Sequence, residues 1–372
     1  MPPSPERRHE RKRFVDRGFY RTMNKGGAMT KQKTAPGMAG GHHPAGDRAN
    51  TANLFLKGAP VALAVIALSA FASTASATED GTTHYPVGVN TVADGYTPMP
   101  GTLELYNYSV GHWSNTLANN SGNETIPGFS NSGAVDALRV MYTFAKPIGP
   151  FHYTMGGVLQ FSYNHLDVGR ESDSATNLGD LDFQNYLSYV SPGHKLFMYF
   201  GLDTYMPTGR YNKNHLVNPG KNYWSFDPSI NVTYHVNDKL ALNSVVYAEF
   251  NTKNSATHYQ SGNSVDTDFA ANYRPFVHES EDSFAQHLGF GIGGYFLKQY
   301  TDDEIDGQTV GPDGHRAQAF GIGPQVIYYT KFGGFALKYQ HDLAVRNRAA
   351  SDTVWFQFAV PLLGSFRHVG TE

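Results

Sequence analysis

The chain has 372 residues, 40% of them hydrophobic, and a mean hydropathy of −0.41, too polar for a bundle of membrane-spanning helices. It contains no cysteine, which excludes disulfides, thiolate nucleophiles and a lipoprotein anchor and suits passage through an oxidising compartment. The formal charge of −3 hides an asymmetry: residues 78–372 hold 17 of the 29 basic and 28 of the 32 acidic side chains, a net −11. That balance argues against nucleic acid, whose phosphates demand a basic face.

In chain order, residues 1–52 are basic and without apolar periodicity, and are read as a disordered N-terminal extension. The stretch 61–71, VALAVIALSAF, is half the ~20 apolar residues that a membrane helix needs. Lys57 precedes it and Ala75-Ser76-Ala77 follows, so 53–77 reads as a signal peptide cleaved after Ala77. Residues 78–100, broken by Pro86, Pro98 and Pro100, are expected to hang in the periplasm or to plug a lumen, with partial insertion favoured.

From 101 to 360 the recurring pattern is alternation over ~10 residues, the signature of a membrane strand. Within 239–250, Leu240, Leu242, Val246, Ala248 and Phe250 point one way and Asn243, Tyr247 and Glu249 the other. Twelve segments qualify: 101–112, 134–145, 151–163, 180–190, 195–206, 223–234, 239–250, 265–274, 286–298, 318–329, 334–344 and 352–360. The connections alternate between long (113–133, 164–179, 207–222, 251–264, 299–317, 345–351) and short (146–150, 191–194, 235–238, 330–333), with 275–285 an exception. Outer-membrane barrels have short periplasmic turns and long extracellular loops. The prediction is an all-β, up-and-down antiparallel barrel of about twelve strands over 101–360, both termini periplasmic, followed by a tail at 361–372. Aromatic residues at strand ends, among them Trp113, Phe161, Tyr163, Trp224 and Tyr328, fit interfacial girdles.

The same phase sends Glu104, Arg139, Asp182, Asp203, Asp227, Asn231, Glu249 and Lys338 into the lumen, because a Lys or Arg facing hydrocarbon costs ~2–4 kcal/mol. Inward Gly289, Gly291 and Gly293 widen one wall, while Tyr199, Tyr205, Tyr247 and Tyr295 offer stacking surfaces worth ~0.5–1.5 kcal/mol each. Together with Arg139, Asp203, Glu249 and Lys338 these residues define a candidate solute path. A structural polar network, with the glycines easing sheet curvature, is the competing reading. Asp302, Glu304, Asp306 and Asp313 approach calcium-loop spacing but lack flanking helices and the terminal Glu, so an acidic solvated loop is preferred and no metal is expected. Neither a G-x-S-x-G elbow nor an H-E-x-x-H pair occurs, and no residue stands out as a nucleophile. No cofactor is expected.

Specific segments resemble one family. The stretch 201–211, GLDTYMPTGRY, is similar to the strand-to-loop motif of the outer-membrane proteins of the MetA-pathway of phenol degradation family. In the same order run Tyr85-Pro86-x-Gly88-Val89-Asn90-Thr91, Leu178-Gly179-Asp180, Asn218-Pro219-Gly220-x-Asn222-Tyr223-Trp224 and Phe226-x-Pro228. Asn254-x-x-Thr257-x-Tyr259-x-Ser261-Gly262, Gly294-Tyr295-x-x-x-Gln299-x-Thr301-x-Asp303 and Gly323-Pro324 complete the set. The resemblance spans roughly 82–360. It implies a non-enzymatic barrel in the outer membrane of a Gram-negative bacterium that takes up or handles small hydrophobic, aromatic compounds for degradation. A structural or surface-interaction barrel with a closed lumen is the alternative, and a barrel lipase a remote one. Expected partners are the bilayer, lipopolysaccharide, the barrel-assembly machinery and the solutes.

Overall fold

The computed structural model of the protein describes residues 82–280 and 283–365; the expected disordered extension and export leader, and the end of the expected tail, lie outside them. The strands are β1 (Leu103–Ala118), β2 (Ser130–Thr143), β3 (His152–Val168), β4 (Glu171–Leu178), β5 (Leu181–Val190), β6 (Leu196–Met206), β7 (Ser225–His235) and β8 (Leu240–Asn251). They continue with β9 (Tyr259–Gln260), β10 (Ser264–Tyr273), β11 (Leu288–Gln299), β12 (Glu304–Ile305), β13 (Gln308–Thr309), β14 (Gln318–Thr330), β15 (Gly333–Arg346) and β16 (Arg348–Leu363). β4 and β5 both pair with β3 and form one barrel strand interrupted at Gly179 and Asp180. The order β2-β1-β16-β15-β14-β11-β10-β8-β7-β6-β5-β3 closes through β2–β3, giving twelve antiparallel staves. Closure is what hydrocarbon demands, since a backbone group there has no water to bond and an open edge would leave a row unpaired.

Each segment expected from alternation is a stave, but two expected loops are not loops. β3 runs on to Val168 and pairs with β4 across 164–178, and β15 and β16 are joined by Asn347 alone. These extensions alternate polar with polar, as in ESDSATNL, so a search for apolar alternation stops short of them. Pairing outlasts the hydrocarbon: once a hairpin rises above the bilayer its outer face can be polar. Gly169 (φ 63°) and Asn347 (φ 52°) supply the left-handed residues of the tips. Leu103 pairs with Leu363, so β1 starts and β16 ends at the short-turn end. Thr82 lies at the opposite, long-loop end, where Lys221 Nζ bonds its carbonyl at 2.8 Å and its Oγ1 at 2.6 Å. Residues 82–102 therefore run the length of the lumen before β1 begins.

The outer face carries Leu138, Val140, Leu202, Ile230, Val246, Ile292 and Phe356, all exposed, a belt no water-soluble protein would present. One polar cluster interrupts it. Asp136 faces outward and its Oδ1 accepts from Asn107 Nδ2 (2.8 Å) and Ser109 Oγ (2.7 Å). Exposed Trp113 lies ten residues along β1 from Leu103, about 25 Å at the usual rise and tilt, so Asn107 and Ser109 sit near mid-depth. Above the bilayer β9, β12 and β13 form a small sheet in the order β13-β12-β9. Asp303 fastens it, accepting from Tyr259 Oη (2.5 Å), Gly262 N (2.7 Å) and Gln299 Nε2 (2.7 Å).

Two outcomes follow for the scaffold. Val246→Arg, at mid-strand on the lipid face, should lower the stability of the vesicle-embedded barrel by ~2–4 kcal/mol in urea, while Asp136→Leu should raise it by up to ~2 kcal/mol. Opposite signs would refute the assignment of the two faces. Burial pushes the Asp303 carboxyl up to about 7. Its folded value lies above the ~3.9 of an unfolded Asp, so the stabilisation is complete below pH ~4 and is lost as pH rises through 7. Amide exchange at 259–262 and 304–309, corrected for intrinsic rates, should be slower at pH 5.5 than at pH 8, and Asp303→Asn should remove the difference. Equal protection of the unaltered protein at both pH values would contradict this.

Candidate functional site in the barrel lumen

The staves deliver two clusters of inward side chains. The first surrounds Arg139 on β2, whose Nε donates to Gln184 Oε1 (2.7 Å) and Nη2 to Tyr186 Oη (3.3 Å), with the guanidinium 5.6 Å from the Tyr106 ring centre. Tyr186 in turn donates to Asp203, and Tyr106 to Glu104 at 2.6 Å. Tyr199 packs against the Tyr186 ring at 4.7 Å. The second cluster grips residues 82–97. Glu249 Oε2 accepts the backbone N–H of His84 (3.0 Å) and of Tyr85 (3.2 Å). Asp268 accepts from Gly88 N (2.7 Å), Asn90 N (2.8 Å) and Tyr85 Oη (2.6 Å). Lys338 Nζ donates to the carbonyls of Gly88 (2.9 Å) and Val89 (2.7 Å). Nearer the short turns, Gln325 Nε2 and Asn272 Nδ2 both donate to Thr91 O, and Tyr96 stacks on Phe197 at 4.1 Å with its hydroxyl 2.7 Å from His235 Nε2. At Gly95 the segment lies hard against the wall: a Cβ there would sit 2.1 Å from the Phe197 carbonyl oxygen.

The residues expected along a solute path fall as follows. Arg139, Tyr199, Asp203, Tyr205, Tyr247, Glu249, Tyr295 and Lys338 are all buried on the inward face. Arg139, Tyr199 and Asp203 belong to the first cluster, and Glu249, Tyr247, Tyr205 and Lys338 to the second. Tyr295 donates to Asp342 and lies against Val87 and Gly88 of the segment. Gly291 and Gly293 face filled space, whereas Gly289 borders a small cavity with Ala93, Arg274 and Tyr329. A Cβ on Gly291 would meet Asn272 Oδ1 at 2.1 Å, and one on Gly293 would meet Thr91 Cβ at 2.9 Å. Gly291 and Gly293 make room for the N-terminal segment and the amides that hold it. The acidic loop does not converge on a point either. Asp302 accepts from Arg316 (2.5 Å), Asp306 bonds His258 (2.7 Å), Asp313 accepts from Asn347 (3.2 Å), and Glu304 pairs within the small sheet. Among the described residues no group of three or more acidic, His or Cys side chains is placed to hold a metal ion.

One constellation was invisible to spacing. His84 Nδ1 lies 2.5 Å from Ser225 Oγ and its Nε2 2.9 Å from Asp180 Oδ2. The residue types are those of a serine hydrolase triad, but the two imidazole nitrogens are exchanged relative to one, Ser225 is 0% exposed and its Oγ also donates to Asn251 Oδ1 at 2.5 Å. A nucleophile needs an open side toward the acyl carbon. Here the trio acts as a lock, with His84 stacked on Tyr205 at 4.9 Å and edge-on to Tyr223 at 5.0 Å. Asp180 also accepts from Gly209 N (2.8 Å) and Lys221 N (2.7 Å), so the lock joins the N-terminal segment to the β6–β7 loop. The signal available beforehand was an excess of inward carboxylates over inward bases, which calls for donors from elsewhere in the chain.

Comparison with known proteins gives the family. Residues 114–358 match the family described as the MetA-pathway of phenol degradation. The COG4313 outer membrane channel from Pseudomonas putida F1 is similar in fold at 18% identity, with a TM-score of 0.61 over 72% of this chain and 98% of that one. Weaker likenesses include a Pseudomonas aeruginosa FadL homologue (9% identity, TM-score 0.39, 75% and 98% covered) and the CymD monoaromatic hydrocarbon channel (10%, 0.36, 73% and 90%). No curated protein matches. A closed twelve-stave barrel with an apolar outer belt, matched over most of its staves by one family, is an outer-membrane protein, and the chain belongs to the MetA-pathway of phenol degradation family.

Proposed function

We propose that the barrel is a non-enzymatic outer-membrane channel for small aromatic compounds, serving their degradation, with residues 53–77 as its export leader and 78–100 as a lumen segment. The observation that carries this reading is the repeated pairing of phenol rings with carboxylates inside the lumen: Tyr186 with Asp203, Tyr106 with Glu104 and Tyr85 with Asp268. A wall that already solvates tyrosine rings offers a hydroxylated aromatic the same contacts, stacking plus a charged acceptor. The match to a family linked to phenol degradation supports the solute class. The closed-barrel alternative is favoured by the lumen segment itself, which fills the interior from Thr82 to Tyr96. The two readings part in transport. Growth on limiting phenol should slow several-fold in a deletion strain and return with the gene, while growth on succinate stays unchanged. Unaltered growth on limiting phenol would leave the closed barrel.

The bilayer partners follow from the outer face. Lys298 on β11 and Arg346 on β15 point outward at the long-loop end, and with Arg316 they line a cavity of about 350 Å³ that Asp302 and Asp313 also border. Such a row above an apolar belt suits the phosphates of lipopolysaccharide, in a chain whose insertion is assigned to the barrel-assembly machinery. Lys298→Gln with Arg346→Gln should reduce lipopolysaccharide retained through purification at least threefold, measured by bound phosphate. Equal retention would remove this contact.

A further inference from the structure

We propose that the place occupied by Tyr85 is a binding site for free phenols, and that Tyr85 is the chain's own stand-in for the solute. The biological use of such a site rests on the channel reading, but its geometry does not. The wall supplies the stacking face of the ring and the acceptor of its hydroxyl. Tyr247 on β8 stacks on Tyr85 with ring centres 4.0 Å apart and planes 27° from parallel. Asp268 on β10 accepts the hydroxyl at 2.6 Å, while Val245 and Trp355 complete a buried cluster with Tyr85 and Val89. Tyr85 itself belongs to no stave. It sits on the lumen segment, held by hydrogen bonds rather than by strand pairing, and its hydroxyl also accepts from Asn90 Nδ2 of that segment at 3.1 Å.

That placement separates Tyr85 from its neighbours. Tyr186, Tyr106 and Tyr295 also present hydroxyls to carboxylates, but each is rooted in a barrel strand and cannot leave without opening the sheet. Tyr85 can leave, taking with it the grip of Glu249, Asp268 and Lys338 on residues 84–90. What remains on the wall is a flat aromatic face, two apolar side chains and a carboxylate that has lost three donors, one of them the Tyr85 hydroxyl. Phenol, the tyrosine ring and hydroxyl without the chain, restores stacking and hydrogen bond together. Toluene restores only the first, and a buried polar group left without its partner discriminates strongly against such an analogue. Binding to the unaltered protein must displace the segment, so its apparent affinity is reduced by the fraction of molecules already open.

Calorimetric titration of phenol into the full exported protein in detergent tests this. Tyr85→Ala should bind phenol at least tenfold more tightly than the unaltered protein, should discriminate against toluene, and should lose the gain when Asp268→Asn is added. Tyr85→Phe keeps the ring and gives up the hydroxyl bond, so it should gain by a smaller factor. A heat-modifiability gel confirms that each barrel is folded, and if Tyr85→Ala is not, Tyr85→Phe decides. In the unaltered protein saturating phenol should speed deuterium exchange at residues 84–91. No gain in either variant, or toluene bound as well as phenol, overturns the proposal. Phenol growth of the deletion strain is read separately. If that growth depends on the gene but the variants show no gain, the channel reading stands and this site falls. If Tyr85→Ala binds phenol tightly but growth is independent of the gene, the site stands and the channel reading falls.

Discussion

Everything in this molecule depends on the absence of water from the bilayer core. A backbone group there must find its partner within the chain, so twelve staves close on themselves and β2 meets β3. Closure creates an interior that lipid cannot reach. Side chains that hydrocarbon would penalise collect inside, and most of those that ionise are acidic: Glu104, Asp182, Asp203, Asp227, Glu249, Asp266, Asp268 and Asp342 against Arg139, Arg274 and Lys338. An acidic lumen needs donors more than it needs cations. The backbone N–H groups of His84, Tyr85, Gly88 and Asn90 provide them, and the chain before β1 is thereby drawn up the barrel.

How much of this was legible follows from which signals are local. Lipid-facing phase is local, since one residue in two must be apolar over the hydrophobic band. Leu242, Phe290 and Phe356 could be assigned outward, and Tyr247, Glu249 and Trp355 inward, from spacing alone. The upper end of β3, the whole of β4 and the start of β16 were not legible, because above the bilayer pairing continues without any apolar requirement. The phase rule also passed over Asp136, whose neighbours Asn107 and Ser109 satisfy one carboxylate oxygen within the lipid face. The path of residues 82–100 was beyond reach for a different reason. A segment without periodicity is placed by its partners, and those partners, such as Asp268 and Lys338, lie 180 or more residues away in the chain.

Several motifs that resemble the phenol-degradation family now have a shared physical place. Asp180, Gly209, Gly220 and Lys221 meet at the long-loop end, where Gly209 and Gly220 touch so closely that a Cβ on either would fall about 2.7 Å from the other's Cα. Asn222 Nδ2 donates to Asn254 Oδ1 at 2.7 Å, and Tyr259 reaches Asp303. Tyr85, Gly88 and Asn90 are the residues the lumen carboxylates hold. These contacts tie the long loops to one another and to the lumen segment. Other motif residues, such as Gly201, Phe226, Tyr295 and Gly323, lie within staves β6, β7, β11 and β14. The signature is thus shared between the wall and the contacts that tie the long loops to the lumen segment.

The energy of those contacts is smaller than the number of hydrogen bonds suggests. With the segment in place, both carboxylate oxygens of Asp227 and one each of Asp182, Glu249 and Asp266 are buried without a protein donor. Each such group carries a desolvation penalty of ~1–3 kcal/mol or more. If residues 82–97 withdraw, the bonds to Glu249, Asp268 and Lys338 are lost, but water reaches the same acids and removes the penalty. Each exchanged protein bond is worth only ~0.5–1.5 kcal/mol net, or ~1.5–3 when a charge takes part. The closed state thus spends part of its gain on keeping the acid belt dry. A filled barrel and an open one can therefore lie within a few kcal/mol of each other, the range in which a small aromatic solute can choose between them.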